Sequence, residues 1–234
     1  KSTDRADWNR IDAVTEPSVI GTCTTLLPSG PTTIFDDGST VNVRLIAGIL
    51  SSVTEEQMAN GANAAAIGSM ANGWEIVGFQ NAVLQGDGTY LLSRFLRGRR
   101  GTEWATGTHV IGDQFVLLES GDLIRPNTSA TEINSPRYYR LPAFGTSFTD
   151  ADEITYTHQA ISKKPLSPVH IRGRRHSPAT NDWNITWVRR GRIDWEWRDY
   201  VETPLGEASE SYEIDIMSGS NVKRTLTATT QSVT

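Results

Sequence analysis

Cysteine is nearly absent from this 234-residue chain: Cys23 stands alone, so no disulfide can form within it and no cysteine-based metal framework exists. Long apolar runs are missing too. Nothing approaches the roughly 18 to 20 consecutive apolar residues that span a bilayer, and no charged-then-apolar leader opens the sequence, so neither a membrane anchor nor a secretory signal is expected. The first residue is Lys1, which leads us to expect a fragment or a processed product. The four histidines, His109, His158, His170 and His176, fall in separate segments without the i, i+4 or His-x-His spacing of a metal site, and each is expected to be a surface or satisfied structural residue. No Gly-x-Ser-x-Gly elbow occurs, so serine hydrolase chemistry has no local trace. Paired glycosidic carboxylates leave no local signature and keep only a low prior. A net charge of −5 with a pI near 5.4 argues against nucleic acid as the main partner.

What the chain does have is an ordinary globular composition, 37% apolar and 21% charged, with seven tryptophans. Its strongest local signal is the stretch Gly73 to Gly101. Trp74, Ile76 and Gly78 alternate with Glu75 and Val77, and an apolar series continues through Phe79, Ala82 and Leu84 to Gly86-Asp87-Gly88. Tyr90, Leu91 and Leu92 open a return strand that runs through Phe95 and Leu96. Asp-Gly between two apolar runs predicts a β-hairpin, because both residues tolerate the positive φ of primed turns. The expected buried set is Trp74, Phe79, Leu84, Leu92, Phe95 and Leu96. After it, Gly98 and Gly101 punctuate the run of Arg97, Arg99 and Arg100, which predicts a mobile loop held in solvent or against a partner.

The flanking sequence is also β-rich. Ser18 to Leu27 and Thr40 to Ile46 read as strands, Phe35 to Ser39 as a turn, and His109 to Glu119, Arg137 to Leu141 and Glu153 to His158 as further strands. Between Ser52 and Ala66 the period changes: Ser52 or Thr54 can cap, Glu55 and Glu56 suit a helix N-terminus, and Met58 with Ala62 and Ala65 or Ala66 would share a helical face. The predicted fold is all-β, a barrel or sandwich with one short helix. Residues 1–30 form a connecting segment, 31–162 the β-rich domain and 163–168 a Lys-Lys-Pro linker. From 169 to 234, Trp187 at an inward position and Tyr212 opening an alternating strand suit a fibronectin type III-like sandwich. At about 70 residues against roughly 100 for such a sandwich, its last strands should be missing.

Two clusters invite chemistry. Arg192 and Arg198 flank Trp195 and Trp197, and aromatics among arginines can stack on sugar rings or bases. The plainer reading is preferred: tryptophans that pack, and arginines paired with Asp194, Glu196 and Asp199. Asp36-Asp37-Gly38 and Asp150-Ala151-Asp152-Glu153 lack the full oxygen-ligand loop of a calcium site and read as solvated turns. No catalytic residue, metal or cofactor is assigned.

The motif series carries a family resemblance. Leu50-Ser51-Ser52-Val53-Thr54 with Asn60 to Ala66, Gly73-Trp74-Glu75-Ile76 with Phe79-Gln80-Asn81-Ala82, Leu96 to Glu103, and Phe115 to Leu118 together resemble the large tail-tip protein of tailed bacteriophages and gene transfer agents. Trp187 to Arg192 with Pro204-Leu205-Gly206-Glu207 and Glu210 to Ile214 is similar to the fibronectin-like domain that follows the hub in that family. The resemblance covers most of Thr40 to Met217. It implies a baseplate-hub region in the virion tail, assembled in the host cytoplasm as a ring, trimeric like such hubs. Partners would be other copies of itself and other tail proteins, with no nucleic-acid specificity. The family's TIM-barrel-like and peptidase domains have no counterpart here, so no enzymatic activity carries over. In this setting Arg97, Arg99 and Arg100 become interface candidates, with Arg97 meeting a carboxylate in its own chain or a neighbour's. The alternative is a glycan- or receptor-binding module acting through Trp195, Trp197, Arg192 and Arg198.

Overall fold

The computed structural model describes residues 1–118, 123–176, 182–193 and 201–234. The chain divides into two compact units, Lys1–Ser162 and Lys163–Thr234. In the first, β1 (Ile20–Cys23), β2 (Asp36–Ala47), β3 (Ala64–Ser69), β4 (Gly73–Leu84), β5 (Tyr90–Arg99) and β6 (Gln114–Leu117) close into a barrel of order β1-β2-β5-β4-β3-β6. Every pairing is antiparallel. Closure removes the unpaired edges that an open sheet would expose. A barrel this narrow is filled by its own side chains: Cys23, Val41, Val43, Ala65, Ile67, Val77, Phe79, Leu92, Phe95 and Phe115 form one buried core.

The β4–β5 hairpin is present as the turn chemistry predicts, but its faces are exchanged along the first half of β4. Glu75, Val77 and Phe79 point inward and are fully buried, while Trp74 is only half-buried. A shift of one residue moves a whole side-chain set to the other face of a strand. The apolar count favoured Trp74 and Ile76 as the inner face; the structure favours Glu75 because it has charged partners inside. Beyond Phe79 the inward series slips by one on both strands, to the paired Ala82 and Leu92. Arg94, with φ at 57°, marks the slip on β5. Leu84 shares the parity of Ala82 but lies at the hairpin tip, where Val83 is exposed as well, and it ends exposed; Leu96 is half-buried.

The predicted helix is α1 (Glu55–Ala59), a single turn and a half. Thr54 Oγ1 accepts from the Gln57 amide at 3.2 Å and Gln57 Oε1 from the Thr54 amide at 2.9 Å, a complete capping box. The helix stops at Asn60. Ala65 and Ala66, expected on its face with Met58, belong instead to β3, where small side chains let strands pack closely around the core. Met58 buries against Gly78 of β4.

Outside the barrel, β7 (Pro136–Arg140) and β8 (Glu153–Thr157) form a hairpin that captures the chain's first residues. Ser2 and Tyr138 exchange both backbone hydrogen bonds, at 2.8 and 3.0 Å. Lys1 pairs with Glu132, and Arg5 reaches Glu153 while its guanidinium lies 3.8 Å above the Tyr138 ring. Trp8 meets Phe148 edge-on at 5.1 Å. The stretch read as a connecting segment thus supplies both a barrel strand and this clasp.

In the second unit, β9 (Val169–Arg175) and β10 (Trp183–Val188) pair as a hairpin, β11 (Tyr212–Ser218) and β12 (Asn221–Ala228) form a ribbon, and β13 (Ser232–Val233) joins β10. Trp187 is buried as its inward position predicts, its ring edge-on to Tyr212 at 5.0 Å. That contact links the three-stranded sheet to the ribbon.

Candidate functional site

Two features lie where β5 leaves for β6: a buried cluster of charges and a turn with exposed side chains. The buried cluster centres on Arg97. Gly98 has φ at 58° and the β4–β5 register shifts between Ile76 and Gly78, so β5 bulges as it ends and Arg97 turns inward. Its side chain is closed off from solvent.

Every donor of the guanidinium group is engaged within the chain. Nε and Nη2 bind the two oxygens of Glu75 at 2.8 and 2.9 Å, a bidentate fork. Nη1 donates to Asp36 Oδ2 and to the Pro28 carbonyl, both at 2.9 Å, and Nη2 reaches the Thr106 carbonyl at 3.4 Å. Glu75 Oε1 also accepts from the Gly98 amide at 2.7 Å. On its far side, Glu75 Oε2 lies 2.7 Å from His109 Nε2, and His109 Nδ1 lies 3.0 Å from Asp113 Oδ2. Asp36, read as part of a solvated turn, is buried, and its other oxygen accepts from the Gly38 and Ser39 amides.

Electrostatics sets the protonation states. Burial pushes the Glu75 carboxyl up, but the hydrogen bonds from His109 and Arg97, the guanidinium charge and the Gly98 amide outweigh it, and the net shift is downward. Asp36 behaves alike: burial raises it, and Ser39 and Arg97 bring it below its ordinary value. For His109, burial favours the neutral ring, yet bonds to Glu75 and Asp113 and the charges of both carboxylates win, so its pKa is raised. An imidazole between two carboxylates donates from both nitrogens only when protonated. Asp36, Glu75 and Asp113 thus surround the Arg97 guanidinium and the His109 ring. Nearby Cys23 is pushed up to about 12, by burial and then by the Asp113 charge, which makes its thiol inert.

The cluster has no room for a substrate. A Cβ on Gly30 would sit 2.1 Å from Asp36 Oδ2 and 2.8 Å from Arg97 Nη1, so backbone is packed directly over the pair. What the arrangement does is mechanical. Arg97 holds the segment around Pro28 and the turn at Thr106, and His109 ties the approach to β6 onto β4. Among the described residues no group of three or more His, Cys, Asp and Glu side chains is placed to hold a metal.

Arg97 therefore corrects the expected loop: it is a rigid, buried tie that meets its acids inside its own chain. Arg99 is the last residue of β5 and Arg100 the first of the turn, and both are exposed. Beside them Trp104 is 56% exposed with its ring laid over Gly73, and Met70 projects from the same β3–β4 turn, 66% exposed. His109 is a satisfied structural histidine, as expected, whereas the buried roles of Glu75, Asp113 and Asp36 escaped the sequence reading, although Glu75 shares the parity of Val77 and Phe79. In the second unit Arg192 binds Glu207 through Nε at 2.7 Å and Nη2 at 3.2 Å. Trp195, Trp197 and Arg198, the rest of the proposed ligand-binding group, lie outside the described residues.

A family model described as "Rcc01698-like, C-terminal" matches residues 18–116, the stretch that holds β1 to β5 and most of β6. No curated protein matches the chain at a significant level.

Proposed function

We propose that this chain is a structural part of a tail tip of the phage or gene-transfer-agent kind, its barrel serving as a hub element that links the tail tube to host-recognition parts. The observation that carries the reading is the coincidence of the family match with the barrel: residues 18–116 take in β1 to β5 and most of β6, and the family's name is associated with gene transfer agents. A closed barrel whose end is locked by a buried charge cluster, with every donor of Arg97 engaged, suits a part that must keep its shape under load, and a self-assembling ring, trimeric by the resemblance, would be its natural setting. The reading is non-catalytic and places the protein in the virion. Labelling purified particles with an antibody against the chain tests it. Gold at the tail tip, with loss of attachment when the chain is deleted, is the expected result. Particles that lack the protein altogether would sink the reading.

A further inference from the structure

We propose that copies of this chain contact one another by seating the β7–β8 loop of one on the arginine–tryptophan face of the next. The face consists of Arg99, Arg100, Trp104 and Met70. Both arginines are exposed and no ion pair is recorded for either among the described residues. The nearest acid in sequence, Glu103, is half-buried beside Gly98. A tryptophan and a methionine held in water beside unpaired arginines form the composition enriched at protein interfaces, and depleted elsewhere on surfaces. Arg97 bonds the Thr106 carbonyl and Glu75 the Gly98 amide, at the two ends of this turn, which lowers the ordering cost of binding.

A face with this charge cannot pair with itself, since arginine would meet arginine. It needs carboxylates beside apolar side chains. The first unit carries that complement in residues 141–152, between β7 and β8. Phe144 is fully exposed, Leu141 is 67% exposed, and Asp150 and Asp152 stand exposed on the same loop without a recorded ion pair. Phe148 and Trp8 brace its base, so the loop starts from a fixed platform. Contact of loop with face joins different surfaces of two copies, either reciprocally in a pair or successively around a ring. The inference rests on these exposures alone and would stand if the tail assignment failed.

The test is charge exchange in the full chain, read by sedimentation velocity over a rising concentration series. Wild type should associate reversibly, and less so as salt rises. Arg99→Glu with Arg100→Glu, and separately Asp150→Arg with Asp152→Arg, should each weaken association roughly ten-fold or more, because like charges then face each other. Melting of both variants should match wild type, since all four side chains are exposed. The variant carrying all four changes should regain association, and Phe144→Ser should lose it. A wild type that remains monomeric throughout, or a four-fold variant that associates no better than its parents, overturns the proposal. Loss or recovery of association is read without particles, so it is separable from the labelling result.

Discussion

Arg97 and Glu75 meet through two parallel hydrogen bonds, at 2.8 and 2.9 Å, with both side chains closed to solvent. Because the fork needs a planar guanidinium, lysine cannot replace it: one ammonium cannot serve both oxygens of Glu75, Asp36 and the Pro28 carbonyl together. Arg97→Lys keeps the charge but leaves buried acceptors without their hydrogen bonds, and should therefore lower unfolding free energy by about 1 to 3 kcal/mol. Chemical denaturation measures this. A loss under roughly 0.5 kcal/mol, the usual size for surface changes, would mean the fork is not formed.

The pH dependence of stability should show two limbs. His109 has a folded pKa above its ordinary value, so its contribution is fully present below the ordinary histidine range and fades as pH climbs through the raised value. Glu75 and Asp36 are shifted down, so theirs is present above the ordinary carboxylate range and is lost as pH falls through the lowered values. Denaturation midpoints should peak between these limits. In His109→Gln the alkaline decline should flatten while the acid limb remains. An alkaline limb unchanged by that substitution would place the titrating group elsewhere.

Leu92 tests the core rather than the cluster. It is fully buried among Val41, Val43 and Phe95, whose interior leaves little freedom to collapse. Leu92→Ala should cost about 2 to 5 kcal/mol. Leu84→Ala, at an exposed hairpin tip, should cost under roughly 0.5 kcal/mol. Equal losses at the two sites would contradict the burial of Leu92 in the barrel core.

Local chemistry made much of the fold legible. The Gly86-Asp87-Gly88 turn, the Thr54 cap and the β-branched runs act over a few residues, and each formed where the sequence places it. Long-range compensation was not legible in that way. Glu75 on an inward position costs far too much by itself, and only Arg97 and His109, 22 and 34 residues away, make it tolerable. A rule that sends charges outward therefore chose the wrong face of β4, and with it misjudged Trp74. The same blindness made Arg97 a loop residue. Gly98 and Gly101 among the arginines signal a turn, whereas Gly98 serves to let the Glu75 carboxylate reach its amide.

That role makes Gly98 the sharpest place to separate backbone strain from crowding. With φ at 58°, alanine there takes a left-handed conformation that costs about 1 to 2 kcal/mol. Its Cβ would also stand 2.8 Å from Glu103 Cα and 3.0 Å from the Thr32 methyl, and the first of these is backbone that cannot swing aside. Moving it would drag the Gly98 amide from Glu75 and loosen the Arg97 fork. Gly112 supplies the comparison: its φ is 97°, yet nothing lies within 4 Å of where a Cβ would go. Gly112→Ala should show strain alone, and Gly98→Ala should exceed it by roughly 1 kcal/mol or more, the least that an unmade buried hydrogen bond costs. The Gly98 variant should also lose part of the acid limb of the stability profile, because Glu75 would no longer be held as low. If the two alanine variants melt together and share the wild-type acid limb, Gly98 is only a turn residue and the cluster does not depend on it.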